Sequence, residues 1–252
     1  MKPPFKYMGG KAKLAKTIVE YIPQHKVYVE PFFGAGAVFF AKEPSKIEII
    51  NDKDNNVYNF FKQLRENFDA LMHYLKNMEY SERLYQDCKT ISKTFKEAND
   101  VYRAALFFFN AYISFGGKIN GGFSYGKTRV LTLTVQKAIN RLPDIKERLL
   151  NALIHNRDYT FILEKYDSPD TFFYLDPPYR NTSKYLCHIN HDEFYNRIKM
   201  LQGKWILSEY LTPELQEIFA DYQIIPLKYQ PSIGAGIGNR SYGQECIVLN
   251  VE

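Results

Sequence analysis

The chain has 252 residues, of which 45% are hydrophobic, and 33 basic against 28 acidic side chains give a net charge of +5. This composition allows one large domain, or one domain with an insertion, and permits a nucleic-acid partner without requiring one. Three scattered cysteines without a CxxC pair argue against a disulfide framework. The sequence has no signal-peptide pattern and no apolar run of membrane-spanning length, so we expect a cytoplasmic protein without membrane contact.

Two glycines precede the first predicted helix, which covers residues 11–22. Gly9 and Gly10 would let backbone N–H groups approach a ligand closely. Lys11 would then meet a carboxylate or a phosphate. Taken alone, the stretch is better explained as a flexible N-terminal turn.

A predicted strand from Val27 runs into a glycine turn that opens a helix. Gly34 and Gly36 permit a tight turn and a close approach of the backbone to a ligand. This order is typical of the first unit of a nucleotide-binding α/β sheet. The third glycine of the dinucleotide fingerprint is missing, since position 39 is Phe, so the pattern favours another cofactor that contains adenosine.

The second predicted strand, residues 46–50, ends in Asn51 and Asp52. An acid at the tip of this strand is well placed to accept hydrogen bonds from both hydroxyls of a ribose. The alternative is a helix cap for the segment from Lys53 onwards. Both interpretations hold together if Asn51 or Asp54 makes the cap.

The character changes to amphipathic helices between residues 61 and 151. Helices are predicted over 66–78, 82–98, 101–112 and 135–150, and Pro143 should break the last one. The loop at 114–129 mixes glycines, aromatics, polar side chains and cations. That mixture suits a loop that follows a DNA backbone and reaches base edges, and it equally suits a flexible surface loop.

An α/β pattern returns near residue 152. Strands are predicted over 152–156, 171–175, 205–208, 222–229 and 244–251, and helices over 192–202 and from Pro213, with Thr212 as N-cap. His188 and His191 lie beside Cys187, but no second ligand pair is visible, so two solvated loop histidines are favoured over a metal site.

The predicted strand at 171–175 ends in Asp176, Pro177, Pro178 and Tyr179. Each proline restricts the residue before it to an extended conformation and has no N–H to donate. The strand therefore ends in a stiff loop that presents a carboxylate, backbone carbonyls and an aromatic ring. Such a loop suits a planar group with an exocyclic amine, although a strand followed by a turn explains the same four residues.

These stretches in this order resemble the Dam-like adenine-N6 DNA methyltransferases. The resemblance covers nearly the whole chain except the middle of the helical region, and its segments are 7–11, 30–36, 51–52 and 176–179. It implies a Rossmann-like methyltransferase sheet, mixed and mostly parallel, formed by residues 1–60 and 152–252. Residues 61–151 would form an inserted, mainly helical target-recognition domain.

The resemblance also implies the cofactor, the partner and the site. The cofactor would be S-adenosylmethionine and the substrate a flipped adenine in double-stranded DNA, with no metal, and we expect a monomer. Catalytic residues would be Asp176, Pro177, Pro178 and Tyr179. Cofactor-binding residues would be Tyr7, Gly10, Lys11, Phe32, Phe33, Gly34, Gly36, Asp52, Asp158, Tyr159 and Asp176. DNA-binding residues would be Lys118, Asn120, Ser124, Tyr125, Lys127, Arg129, Asn239 and Arg240.

The chain departs from Dam-type recognition loops. Those loops carry Arg-x-Asn followed by Phe-Asn-x-Pro, whereas Lys118 to Tyr125 reads KINGGFSY, so a GATC target is not supported. Two alternatives remain: an amine methyltransferase acting on cytosine N4, RNA or a protein amide, and a non-catalytic DNA-binding relic. A restriction partner, a phage function and an orphan methylase would all use the same chemistry.

Overall fold

The computed structural model describes residues 1–7, 9–78, 84, 86, 99–113, 128–180, 189–227 and 244–251; at 113 and 128–132 it describes the backbone. Within these residues one seven-stranded sheet has the order β3-β2-β1-β4-β5-β7-β6. The strands are β1 Val27–Glu30, β2 Ile47–Asn51, β3 Ala152–His155, β4 Thr171–Leu175, β5 Lys204–Tyr210, β6 Gln223–Pro226 and β7 Glu245–Asn250.

Strands β1 to β5 are parallel to one another, and β7 runs antiparallel to both β5 and β6. The carboxyl ends of β1 to β5 therefore lie along one side of the sheet, which we call the carboxyl edge. Because β7 is antiparallel, its first residue reaches the same edge, where Glu245 pairs with Tyr210. The predicted fold class, a mixed and mostly parallel Rossmann-like sheet, is confirmed.

Helices cover both faces of the sheet. They are α1 Ala15–Val19, α2 Ala37–Ala41, α3 Asn55–Glu66, α4 Phe68–Asn77, α5 Asp100–Ile113, α6 Thr128–Ile139, α7 Leu142–Leu149, α8 Tyr159–Tyr166, α9 His191–Lys199 and α10 Pro213–Ile218. Within the described residues, no helix has the length and apolar character needed to cross a membrane.

The central strand β4 is buried at all five positions, as expected for a parallel strand covered on both faces. Its side chains alternate between two cores. Phe172 and Tyr174 face a core that includes the apolar sides of α1 to α7. Phe173 and Leu175 face a second core with α8, α9 and α10. The helical region between β2 and β3 thus shares the first core, and its expected start at residue 61 falls inside α3.

Most local predictions on described residues are confirmed. Asp54 caps α3 by accepting the N–H of Asn56 at 2.8 Å. Thr212 caps α10, and the break near Pro143 separates α6 from α7. The first helix is shorter than the predicted 11–22, and α8 was not predicted. The predicted helix at 82–98, apart from 84 and 86, lies outside the described residues.

One buried side chain joins three strand ends at the carboxyl edge. The Asn51 amide nitrogen donates to the carbonyl of Pro31 at 2.9 Å and to that of Arg157 at 3.1 Å. Its oxygen accepts the N–H of Arg157 at 2.8 Å. Asn51 is 1% exposed, so these backbone groups have no water to replace it. The segments after β1 and β3 are thereby fixed relative to β2.

We predict that Asn51→Ala lowers the free energy of unfolding by about 3 kcal/mol, because it leaves buried backbone groups without partners. Urea unfolding followed by circular dichroism measures this change. The control is Asn140→Ala, which removes an exposed amide at the end of α6 that bonds to Gln136. The two variants should differ clearly, and equal unfolding free energies would contradict the role given to Asn51.

Candidate active site

The site lies at the carboxyl edge, where Asp176 follows β4 directly. Parallel strands β1 and β5 flank β4, so their last residues lie on either side of Asp176. Glu30 ends β1, and Glu209 is the next-to-last residue of β5. Glu245 comes from the start of β7. We call Glu30, Asp176, Glu209 and Glu245 the carboxyl cluster.

A lysine from the N-terminal segment faces this cluster. Lys11 Nζ donates to Asp176 Oδ1 at 2.8 Å and to the Gly9 carbonyl at 2.9 Å. It also lies 3.8 Å from Glu245 Oε2. The Lys11 side chain is 3% exposed, so water screens the pair with Asp176 weakly. The ammonium is thus shared between two carboxyls of the cluster.

The ring of Tyr179 completes this arrangement. Lys11 Nζ lies 4.7 Å from its centroid, in cation–π contact. The Tyr210 ring meets it edge-on, with centroids 4.6 Å apart and planes at 75°. Tyr179 is itself buried. A nitrogen donor therefore already lies between a carboxylate and an aromatic ring.

Burial raises the pKa of every member of the carboxyl cluster. For Asp176 this effect is opposed by the charge and hydrogen bond of Lys11 and by the Tyr179 hydroxyl. The pKa of Glu30 rises well above its ordinary value because of burial, although the Tyr28 hydroxyl donates to it at 2.7 Å. Burial, and then the charge of Asp176, raise the pKa of Glu245 against the opposing Lys11 charge. The cluster therefore holds protons near neutral pH more readily than exposed acids do.

Glu209 is the best-anchored acid of the cluster. Its carboxylate accepts the N–H of Tyr210 at 2.9 Å, the hydroxyl of Tyr195 at 3.2 Å and the backbone N–H of Arg180. Burial nevertheless raises its pKa to about 7. A cavity of about 50 Å³ lies beside it, with Arg180 and Glu214 also in its wall.

The glycine turn after β1 leads into α2 and approaches β2. Gly34 has φ +50° and Gly36 has φ +70°, a backbone region that favours glycine. A Cβ on Gly34 would lie 3.0 Å from the Tyr7 ring, and one on Gly36 would meet the Phe33 ring. Gly34 and Gly36 therefore let the turn pack closely against the rings of Tyr7 and Phe33.

Asp52 lies against this turn. Its Oδ2 accepts the N–H of Gly34 at 2.7 Å and its Oδ1 accepts the N–H of Asp54 at 2.8 Å. Each oxygen keeps a further lone pair for a hydroxyl donor. Burial raises the pKa of Asp52 to about 7, against the two N–H donors. The residues present therefore fit an adenosine-bearing cofactor, with a ribose acceptor beside the glycine turn.

Rings surround the turn on the side of β3. Phe32 and Tyr159 have centroids 5.5 Å apart at 35°, and Phe32 is partly exposed. Phe33 is buried among the rings of Phe39, Phe40 and Phe61, so what it offers a ligand is its backbone. Tyr7 reaches Asp54 with its hydroxyl and lies against Gly34, and Gly10 donates to the Tyr7 carbonyl at 3.0 Å.

The Asp158 side chain stabilises the local structure at the start of α8. It caps α8 through Thr160 and pairs with Lys53 at 2.6 Å, and the hydrogen bonds from these groups lower its pKa despite partial burial.

The predicted DNA contacts lie outside the described side chains: Lys118, Asn120, Ser124, Tyr125, Lys127, Asn239 and Arg240 are not described, and Arg129 is described as backbone in α6.

Sequence reasoning did not assign the roles of Glu30, Glu245 and His191. Glu30 carries a usable signal, because it is a charged residue directly after the apolar run of β1. Glu245 carries none, since its place depends on the insertion of β7 beside β5. His191, expected as a solvated loop side chain, instead begins α9, is partly buried and bonds to the Pro178 carbonyl at 2.8 Å. Among the described residues, no group of three or more His, Cys, Asp or Glu could hold a metal ion.

The sheet order and the placement of Asp176 after its central strand define a Rossmann-like methyltransferase. A model of the D12 class N6 adenine-specific DNA methyltransferases matches residues 7–233, and the chain belongs to this family. It is a DNA adenine-N6 methyltransferase, as the resemblance predicted.

Curated relatives agree with this family. The Type II methyltransferase M1.LlaDCHI of Lactococcus lactis subsp. cremoris is 26% identical, over 99% of this chain and 95% of its own length. The DNA adenine methylase of Salmonella typhimurium is 24% identical, over 97% and 93%. The DNA N-6-adenine-methyltransferase of Escherichia phage P1 is 25% identical, over 91% of this chain and 33% of the phage protein.

We predict that Glu209 makes the protein less stable as pH rises from about 5 to about 8. The folded state raises its pKa from 4.5 to about 7, so between these values the folded protein binds the extra proton. Stability is therefore lost as pH rises through this window, by on the order of 3 kcal/mol for this group. Urea unfolding at pH 5 and pH 8 measures the difference.

The decisive comparison is between variants, because other acids of the cluster act in the same direction. Glu209→Gln should flatten the pH dependence relative to the unmodified chain. Glu217→Gln removes an exposed carboxyl on α10 and should leave it unchanged. If both variants keep the full pH dependence, Glu209 is not its source.

Proposed function

We propose that the chain transfers the methyl group of S-adenosylmethionine to N6 of an adenine flipped out of double-stranded DNA, with Asp176 and the Pro177 carbonyl as acceptors for N6. The observation that carries this assignment is the Lys11 ammonium, held between the Asp176 carboxylate and the Tyr179 ring. An adenine N6 has the same requirements: hydrogen-bond acceptors for its N–H groups and a ring against the base plane.

The chemistry needs a better nucleophile than a free exocyclic amine. The N6 lone pair is delocalised into the adenine ring, and hydrogen bonds from N6 to Asp176 and to Pro177 favour a pyramidal nitrogen with an available lone pair. The cofactor, when bound, supplies a methyl group on a sulfonium, a good electrophile. Positioning and electrostatics then carry the transfer. The methyl group would exchange its bond to sulfur for a bond to N6, and Asp176 would accept the proton that N6 loses.

Two features of the site suit Asp176 to accept the proton that N6 loses. Burial raises its pKa, so its carboxyl takes up a proton more readily than an exposed acid does. Lys11 must also give up its place when the base arrives. Glu245 Oε2, 3.8 Å from Lys11 Nζ, offers the ammonium a second carboxylate, so the shift need not leave a buried charge unpaired.

Cofactor binding falls to the other half of the carboxyl edge. Asp52 would accept hydrogen bonds from the ribose hydroxyls, and the turn at Gly34 and Gly36 would lie along the cofactor. Phe32 and Tyr159 would border the adenine. Tyr7, Gly10 and Lys11 would close the site from the N-terminal segment. The position of Asp52 against the glycine turn and the remaining lone pairs of its oxygens support this division.

DNA recognition belongs, in this proposal, to the helical region of residues 61–151 and to the segment 231–243. Flipping the adenine costs a few kcal/mol. Stacking on Tyr179 offsets roughly 1–3 kcal/mol, by analogy with base–aromatic stacking in single-strand binders. The monomer, acting in the cytoplasm, would contact both strands through this region.

The test is methyl transfer from labelled S-adenosylmethionine to unmethylated bacterial genomic DNA, followed by digestion to nucleosides. Label in N6-methyladenine supports the proposal. Label in N4-methylcytosine would move the assignment to the other base. Cofactor binding without label in either nucleoside would favour another substrate or an inactive enzyme, and the assay would be repeated on RNA and protein.

We predict that Asp176→Ala abolishes methyl transfer and leaves the fold intact, because it removes an acceptor for N6. The measurement is the single-turnover rate, with circular dichroism as the check on folding. The control is Asp170→Ala at the opposite end of β4, where an exposed acid pairs with Lys26 at 3.0 Å. Turnover retained by Asp176→Ala would refute the assigned role.

We predict that neutralising Lys118 or Arg129 weakens DNA binding and lowers the slope of log K against log salt by about 1 for each DNA phosphate that is no longer neutralised. Fluorescence anisotropy over a series of salt concentrations measures the slope. Lys26→Gln, at the end of the sheet opposite the carboxyl edge, is the control. An unchanged slope for both variants would exclude residues 114–129 from the DNA interface.

A further inference from the structure

The loop at residues 176–180 is held by a histidine that no sequence pattern assigned. His191 is the first residue of α9, and its Nε2 lies 2.8 Å from the Pro178 carbonyl oxygen. A carbonyl can only accept, so Nε2 carries the proton and donates. Burial lowers the pKa of His191, and the neutral ring with its proton on Nε2 is sufficient for this bond.

The two prolines explain why a side chain is needed here. Pro177 and Pro178 have no N–H, so two consecutive residues of the loop cannot donate to a neighbouring strand. At these two residues, the backbone can be fixed only by hydrogen bonds to the carbonyl oxygens. The Pro177 carbonyl is required for the substrate amine in the proposed reaction, which leaves the Pro178 carbonyl for the protein.

The same helix and the neighbouring strand hold the end of the loop. The Arg180 backbone N–H donates to Glu209, and its guanidinium pairs with Asp192 and with Glu214, each at 3.1 Å. Asp192 follows His191 in α9. Tyr195, one turn further, meets the His191 ring edge-on at 5.8 Å and donates to Glu209. The loop is thus gripped from α9 on one side and from β5 on the other.

We propose that His191 is a positioning residue for methyl transfer, which holds the Pro178 carbonyl so that the Asp176 carboxylate and the Pro177 carbonyl converge on the substrate amine. The inference rests on the proposed function of this loop. His191 does not touch the reacting atoms. It acts through the peptide planes between Pro177 and Tyr179, whose rotation would move the acceptor carbonyl.

Three variants test this role by kinetics. His191→Ala removes the donor, whereas the side-chain nitrogen of His191→Gln can occupy the place of Nε2. The control is His25→Ala, because His25 also bonds a prolyl carbonyl, that of Pro23 at 2.7 Å, but lies away from the carboxyl edge. The measurements are the single-turnover rate on DNA and the KM for S-adenosylmethionine.

We expect His191→Ala to lower the methyl-transfer rate about 10- to 100-fold, the scale of a misplacement near 1 Å. The KM for S-adenosylmethionine should stay within about twofold, since the cofactor residues are untouched. His191→Gln should recover most of the rate, and His25→Ala should keep it. A rate retained by His191→Ala, or one reduced equally in His191→Gln and His25→Ala, would overturn the proposal.

Amide hydrogen exchange gives a readout that does not need activity. In His191→Ala the amides of Tyr179 and Arg180 should exchange faster, with β1 and β2 unchanged. Suppose that exchange is faster in His191→Ala but the unmodified chain makes no N6-methyladenine. The proposed function would then be refuted, while the contact of His191 with the loop would still be supported. Unchanged exchange at both amides would overturn the role of His191, whatever the activity of the unmodified chain.

Discussion

The ion pair between Lys11 and Asp176 is the interaction on which the rest of the site depends. Four carboxyls converge at the carboxyl edge; Glu30 and Glu209 are buried, and Asp176 and Glu245 are partly buried. Burying charge without a partner is costly, so such a cluster needs a cation or must hold protons. The structure uses both: Lys11 compensates Asp176 and Glu245, while burial raises the pKa values of the acids.

The sheet topology creates this convergence. Five parallel strands bring their last residues to one side, and the antiparallel β7 brings Glu245 to the same place. Asn51 then fixes the segments after β1 and β3, which carry the glycine turn and Asp158. The proposed cofactor-binding and amine-binding parts of the site therefore share this edge of the sheet, as a transfer between two bound groups requires.

Local patterns were sufficient to predict β4, the glycine turn after β1, the acid after β2 and the 176–179 loop. Each is a short run whose meaning depends on neighbours in sequence. The contact of Lys11 with Asp176 joins residues 165 positions apart, and no periodicity encodes it. The same holds for Glu245 and for the grip of His191 on Pro178, which depend on strand order and on where α9 begins. The length of α1 also escaped prediction, because turns with i→i−3 hydrogen bonds flank it on both sides.

In the proposed reaction, the acceptors for N6 stay fixed while the Lys11 ammonium moves. The acceptors lie on strand ends and on a loop with two prolines, held by His191 and Glu209, so their geometry costs little entropy when substrate binds. Lys11 instead sits on a flexible four-carbon chain after a glycine pair, with Gly9 at φ +73°. Its ammonium neutralises Asp176 while the base is absent and has Glu245 within reach when the base arrives. This division suits the proposed methyl transfer, which relies on the position of the acceptors and on the reach of the Lys11 ammonium from Asp176 to Glu245.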